Sequence, residues 1–346
     1  MIEQHLGVWL WTGPAPGKSA FDYPALVLFN ALGGGAAPLF IVLAGIGSAL
    51  MIDKRESPDL TLFLRGLVVI GFGYLLNFLT PSWFTWRSWF VLHLMGLGMC
   101  LAPALRRLST PLLLAGAALV LASTPLLQDW LATPGHLDNT RMAGWARPNT
   151  PGGPTLPWAP VRLALAEGQF PVFPWLSLYI LGLASGRWIV AGRHKSVVQL
   201  GVACLVLGGA MAGAWAGGLR NETLTVLERT LRFNVPFFPA SPSEVLLLSG
   251  LVLTAVFVGI SVEKRRELSS RGFLVTLGRA SLSLLLLHVV LFREVSRPLG
   301  LWQALPPGTA LAIMIGFVAV AALAARQWQR VGYRGGAEWM LRRIAP

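Results

Sequence analysis

Nine apolar blocks dominate this chain, at about 31–52, 60–80, 88–105, 110–128, 171–190, 196–216, 242–262, 272–292 and 307–327. Each is close to the length of about 20 residues that an α-helix needs to cross a ~30 Å hydrocarbon layer. In lipid the backbone must satisfy its own hydrogen bonds, which leaves helices or a closed barrel. The alternating strands of roughly ten residues that a barrel needs are not visible. The blocks therefore predict an all-α, polytopic membrane bundle. Only 12% of the residues are charged, about half the share of a soluble domain. Cys100 and Cys204 lie inside apolar blocks, which argues against a disulfide framework or a zinc site.

The run MIEQHLGVWLW at the start is apolar but covers only half a bilayer. It reads as the outer half of a tenth, truncated first crossing. Either translation begins upstream of Met1, or the chain uses a half-length first helix.

Basic residues give the orientation. One set of alternate seams holds Lys54, Arg55, Arg106, Arg107, Arg187, Arg193, Lys195, Lys264, Arg265, Arg266 and Arg271, followed by the tail with Arg326, Arg330, Arg334, Arg342 and Arg343. The opposite seams hold fewer, spread over longer loops. The positive-inside rule makes the first set cytoplasmic, so both termini are expected inside, with a bacterial cytoplasmic (inner) membrane as the host. The net charge of +13 is then a topology signal, and nucleic acid is not an expected partner. The organisation expected is one transmembrane domain over 1–327, with outer loops at 129–170 and 217–241, and a basic interfacial tail at 328–346.

The first loop carries six prolines (134, 148, 151, 154, 157, 160) and Trp130, Trp145 and Trp158, a composition for irregular structure. It reads as a mobile connector or as a substrate-side lid. The second contains ETLTVLERTLRF, with Leu224, Leu227 and Leu231 at helical spacing, which predicts a short helix lying flat at the interface. Asn221-Glu222-Thr223 matches a glycosylation acceptor by pattern.

Ionisable residues inside apolar blocks are costly, and so they are the first candidates for function. They are Glu3, His5, Arg65, His93, Arg279 and His288, with Asn30 and Asn77 as weaker members. His5 is the leading candidate base, since an imidazole can take a proton from a hydroxyl or amine; the alternative is a histidine that merely bridges helices. Glu3 cannot orient it: at 100° per residue the two side chains point about 200° apart. Any partner of His5 must come from another helix. Arg65 either snorkels to the interface or holds phosphate. On a continuous helix Arg279 and His288 would face opposite sides.

Several stretches, in order, resemble one family. They are AAPLFIVLAGIGSALM (36–51), FLRGLVVIGFGYLLN (63–77), VLHLMGLGMCLA (91–102), FPVFPWLSLYILGLASGR (170–187), PFFPASPSEVLLLSGL (236–251) and LGRASLSLLLLHVVL (277–291). Together they resemble integral-membrane acyltransferases of the transmembrane acyltransferase superfamily, and within it the heparan-alpha-glucosaminide N-acetyltransferase catalytic-region family and its bacterial relatives. The tail GAEWMLRR (336–343) is similar to that of a sister group of bacterial membrane proteins. In the family's first crossing an Arg-Gly pair precedes an apolar run and a His or Asn; here only the end of that pattern is present, with His5 in the polar position. The family histidine just before the second crossing has no counterpart in PAPGKSAFDYPALVLFN.

The resemblance implies transfer of an acyl group, usually acetyl, from cytoplasmic acyl-CoA to a hydroxyl or amine of a sugar-like acceptor on the other side, with no metal. It makes His5, and more weakly His288 and Asp22, the catalytic candidates. Arg65 and Arg279 become candidates for the acyl-CoA phosphates, and Asn30, His93 and Trp145 for the acceptor side. Membrane lipid and a small-molecule or glycan acceptor are the expected partners, with a homodimer left open. Two other classes fit buried polar residues: a transporter for a small solute or lipid-linked sugar, and an inactive membrane partner protein.

Overall fold

A computed structural model describes residues 2–147, 152–219, 223–233 and 238–344. The described residues are helical apart from turns, loops and two isolated bridges. Among the described residues six helices are long and apolar enough to cross a membrane: Ala36–Lys54, Pro58–Leu79, Thr110–Trp130, His194–Leu219, Pro242–Arg265 and Pro307–Gln329. A broken pair, Phe273–Arg279 and Ser281–Val295, makes a seventh. The protein is a polytopic helical membrane protein, as the apolar blocks predict.

The ends of these helices follow from their chemistry. The helices at Pro24, Pro58, Pro242 and Pro307 each begin on proline, where a missing N–H costs nothing and φ is already helical. Lys54, Arg187, Lys264 with Arg265, and Arg326 fall in last turns, where a cation faces the negative end of the helix dipole.

Four expected crossings differ in detail. The block at 171–190 forms the helix Val172–Val190, which is not among those six. The block at 31–52 is two helices, Pro24–Gly34 and Ala36–Lys54, divided within the glycine run. The block at 88–105 yields only the 15-residue helix Val91–Leu105. The block at 272–292 is not continuous: at Ala280 the path bends by 74°, so angular arithmetic between Arg279 and His288 does not hold across it.

The chain forms two compact units. The larger comprises Pro38–Phe78 and Phe84–Val262. Its centre is the helix Val172–Val190, on which Trp175, Leu178, Tyr179, Leu183 and Ala184 are buried. That helix approaches Ala36–Lys54 through Gly45 and Gly182: a Cβ on Gly45 would meet the carbonyl oxygen of Tyr179, and one on Gly182 that of Val42. At the same crossing the hydroxyls of Tyr179 and Ser48 lie 2.7 Å apart.

Within the loop at 129–170 the described residues include a buried ion cluster. Glu167, fully buried, sits between Arg162 (NH2 to Oε1, 2.5 Å) and Arg141 (Nε to Oε2, 3.3 Å), and accepts from Thr133 Oγ1 at 3.1 Å. The second loop folds a short helix, Val226–Leu231. Its leucine face is only partly internal: Leu224 and Leu227 stay exposed, while Glu228 and Arg229 are buried with Leu231. Trp215 Nε1–H donates to Glu228 at 2.8 Å, and Arg229 lies 3.6 Å from Asp129. Burial pulls the Arg229 guanidinium below its usual pKa, an effect that Asp129 opposes. Asn221 and Glu222 of the glycosylation pattern lie outside the described residues.

The smaller unit comprises Met1–Ala37, Leu79–Trp83 and Glu263–Pro346. Leu6 and Leu10 of the first helix, Ile2–Leu10, pack with Leu26, Ala310 and Met314 in its core. The C-terminal carbonyls of that helix are taken up by backbone from the far end of the chain: Gln303 N–H donates to Trp9 O (2.8 Å) and Leu305 N–H to Leu10 O (2.9 Å), and Thr12 N–H returns a bond to Leu305 O (3.1 Å). These bonds satisfy carbonyls that a helix end otherwise leaves open, and they fix where the helix stops.

Candidate functional site

The same unit gathers an ionisable and aromatic cluster. Packing of the first helix beside Ser281–Val290 places Nδ1 of His5 2.9 Å from Nε2 of His288. The partner of His5 thus comes from another helix, as the angular argument requires. His288 Nδ1 lies 2.7 Å from the carbonyl oxygen of Leu284. A carbonyl only accepts, so His288 Nδ1 carries the proton, and with a neutral ring its Nε2 is the acceptor. The hydrogen on the shared bond then belongs to His5 Nδ1, which leaves the lone pair of His5 on Nε2.

Exposure separates the two roles. His288 is fully buried, whereas His5 is half-buried. His5 stacks on Trp9 at 4.6 Å and meets the edge of Trp83 at 5.8 Å. Beside these rings lies Arg293, 6% exposed, with its guanidinium carbon over Trp302, Trp83 and Trp9 at 4.6, 4.9 and 5.7 Å. Arg293 donates from Nε to Ser82 Oγ (3.2 Å) and from NH2 to Ser82 O (3.1 Å). Ser82 in turn donates from Oγ (2.7 Å) and N–H (3.2 Å) to Glu294.

The cluster is held by the break at Ala280. That break frees the first backbone N–H groups of the helix carrying His288, and Glu338 from the tail helix Ala337–Ile344 takes them: Oε1 accepts from Leu282 N–H (2.6 Å) and Ser283 N–H (3.0 Å), and Oε2 from the Ser283 hydroxyl. A carboxylate there satisfies open donors and the positive end of the dipole together.

The other predicted residues take different places. Asp22 is exposed and accepts from Ser19 N–H (2.6 Å) and Oγ (3.1 Å), capping a short 3-10 turn. Arg279 is exposed at the end of its helix segment, and Arg65 is half-buried on Pro58–Leu79. The side chain of Asn30 lies outside the described residues. In the larger unit His93 is fully buried; its Nδ1 accepts from Phe90 N–H at 3.2 Å, and Tyr74 and Trp89 pack on the ring at 4.6 and 5.3 Å. Trp145 pairs with Thr155 in an isolated bridge and carries Arg87 over its ring at 4.9 Å. Asn77, buried, donates to Ser88 O at 2.9 Å.

Sequence reasoning did not reach Trp9, Trp83, Trp302, Arg293 or Glu338. Arg293 had a signal, a cation close behind His288 in the same apolar segment. Ser82 and Trp83 had none.

Residues 19–216, more than half of the chain, match the family described as heparan-alpha-glucosaminide N-acetyltransferase, catalytic. Residues 186–346 match a family described as a protein of unknown function, DUF418. His288 lies within the second span, and His5 precedes both. No curated protein and no solved structure matches the chain.

Proposed function

The chain belongs to the heparan-alpha-glucosaminide N-acetyltransferase catalytic family, and from that premise we propose that it transfers an acyl group, acetyl first among them, from acyl-CoA to a hydroxyl or amine of a sugar-like acceptor, with His5 as general base. The observation that carries this reading is the His5–His288 pair, which leaves the His5 lone pair on Nε2 of an oriented ring.

In the reaction the acceptor oxygen or nitrogen bonds to the thioester carbon as its proton passes to His5 Nε2. The carbon–sulfur bond breaks, and the CoA thiolate leaves with the proton returned by the imidazolium. His288 touches no substrate; it is a positioning residue that accepts from His5 Nδ1–H and steadies the imidazolium. General base catalysis of this kind contributes about 10²–10⁴-fold.

The proposed setting is a bacterial inner membrane with both termini cytoplasmic. Acyl-CoA then enters from the side of the basic seams, where Arg279, exposed at the end of its helix segment, meets its phosphates, and the acceptor meets His5 from the opposite side. The charge asymmetry of the seams supports this orientation.

The test uses purified full-length protein, acetyl-CoA labelled on its acetyl group, and glucosamine as the first acceptor probe. Binding of acetyl-CoA that weakens in Arg279→Ala, with transfer lost in His5→Ala, is the expected result. Absence of any acyl-CoA binding overturns the proposal.

A further inference from the structure

Arg293 and Arg297 are four residues apart, and both guanidinium carbons lie over the indole of Trp302, at 4.6 and 4.1 Å. The backbone between them widens into an i→i+5 turn, with Ser296 N–H donating to Leu291 O at 3.3 Å, a geometry that recurs at functional sites. Arg293 is buried and held at Nε and NH2 by Ser82, while Arg297 is exposed. Like charges at this spacing repel. The nearest carboxylate in sequence, Glu294, is engaged by the N–H and hydroxyl of Ser82. Among the described residues neither arginine is in an ion pair. Indole faces offset part of the cost of burying a cation, and Glu294, joined to Arg293 through Ser82, attracts it, but two cations then share one carboxylate and the pair keeps a net positive charge.

We propose that Arg293, Arg297 and Trp302 form a binding site for an anionic oxygen group, a phosphate, sulfate or carboxylate, on the molecule that enters beside His5. Arg293 is oriented in advance, Arg297 closes on the ligand from the exposed side, and the Trp302 indole holds the two guanidinium groups beside one another. Trp9, which stacks on His5 and lies 5.7 Å from the Arg293 guanidinium, joins this site to the base. Under the acyl-transfer reading, on which the identification of that molecule as acceptor rests, the enzyme prefers an acidic or phosphorylated sugar to a neutral one.

The test is equilibrium binding to the full-length protein in phosphatidylcholine nanodiscs, with inorganic phosphate, glucose 6-phosphate and glucose as probes. Both anions are expected to bind, glucose 6-phosphate at least about tenfold tighter than glucose, and Arg297→Gln to lose about tenfold, the scale of one charge-assisted hydrogen bond. Arg297 is exposed, so its variant keeps the test sound if Arg293→Gln fails to fold. Repeating the titration with phosphatidylglycerol in the disc separates two sources of the anion: competition assigns the site to a lipid headgroup, unchanged affinity to a soluble acceptor. Equal affinity for glucose and glucose 6-phosphate, no binding of either anion, or an unchanged Arg297→Gln variant overturns the site. Binding is read without acyl transfer, so anion binding that persists in a protein unable to bind acyl-CoA refutes the transfer reading alone.

Discussion

Glu338 caps the helix that carries His288 by accepting from both the backbone N–H and the hydroxyl of Ser283. Ser283 Oγ also accepts from Ala337 N–H at 2.8 Å, so the start of the tail helix and the start of the His288 helix cap one another. Glu338→Ala removes a charged cap and is expected to cost about 1–2 kcal/mol. Glu338→Gln, which keeps an acceptor, costs less. Thermal unfolding in detergent, followed by tryptophan fluorescence, measures both. An unchanged midpoint in Glu338→Ala would show that the cap is immaterial.

Gly45 and Gly182 let two helices of the larger unit meet backbone to backbone. A methyl group at either position meets a main-chain oxygen, which cannot swing aside as a side chain does. Gly182→Ala is expected to destabilise by about 1–3 kcal/mol, the range for overpacking. Because both glycines serve one crossing, the double variant should cost less than the two singles added. Unfolding midpoints of the three variants give the comparison, and strict additivity would argue against a shared contact.

Glu167 holds Arg141 and Arg162, whose side chains are 13% and 18% exposed, while it is itself fully buried. Glu167→Gln leaves two guanidinium groups facing one neutral amide, and loss of one partner from a buried ion cluster costs about 3–5 kcal/mol. The segment around Glu167 should then become cleavable by trypsin at those arginines. Arg162→Met added to Glu167→Gln should recover part of the loss, since it removes one of the stranded charges. Resistance to trypsin equal to that of the unmodified protein would sink this account.

How much of this was legible beforehand varied with the distance over which each feature is decided. Helices such as Thr110–Trp130 and Pro307–Gln329 were readable because length and apolarity are local and both ends carry their own signals. The interruption after Gly34 also had a local sign in the Gly33-Gly34-Gly35 run. The break at Ala280 had none: the sequence stays apolar through LGRASLSLLLL, and the cap that satisfies the opened turn comes from Glu338, 56 positions beyond Leu282. The same limit applies to the site. His5 and His288 each stood out as polar residues in apolar runs, but their meeting spans 283 positions. The spacing of the leucines in ETLTVLERTLRF predicted a short helix at the interface, but not that Glu228 and Arg229 are buried, because Trp215 and Asp129 supply partners that only the fold brings near.

His288 gives a prediction that separates its positioning role from plain packing. His5 Nδ1–H needs an acceptor at the place of His288 Nε2; without one, the ring loses a hydrogen bond and nothing favours Nε2 as its basic atom. His288→Leu fills the space without an acceptor. His288→Gln keeps a carbonyl oxygen on a chain of similar reach. Loss of one hydrogen bond to a developing imidazolium is worth about 1.5–3 kcal/mol, so acyl transfer in His288→Leu should fall roughly tenfold to a hundredfold in kcat. His288→Gln should recover most of that loss, while the KM for acetyl-CoA stays the same in both, since His288 touches no substrate. A packing role predicts another pattern: leucine, the apolar substitute, would be the better tolerated of the two, and glutamine the worse. Steady-state kinetics of the two variants beside His5→Ala, with unfolding midpoints as the control for folding, decides between them.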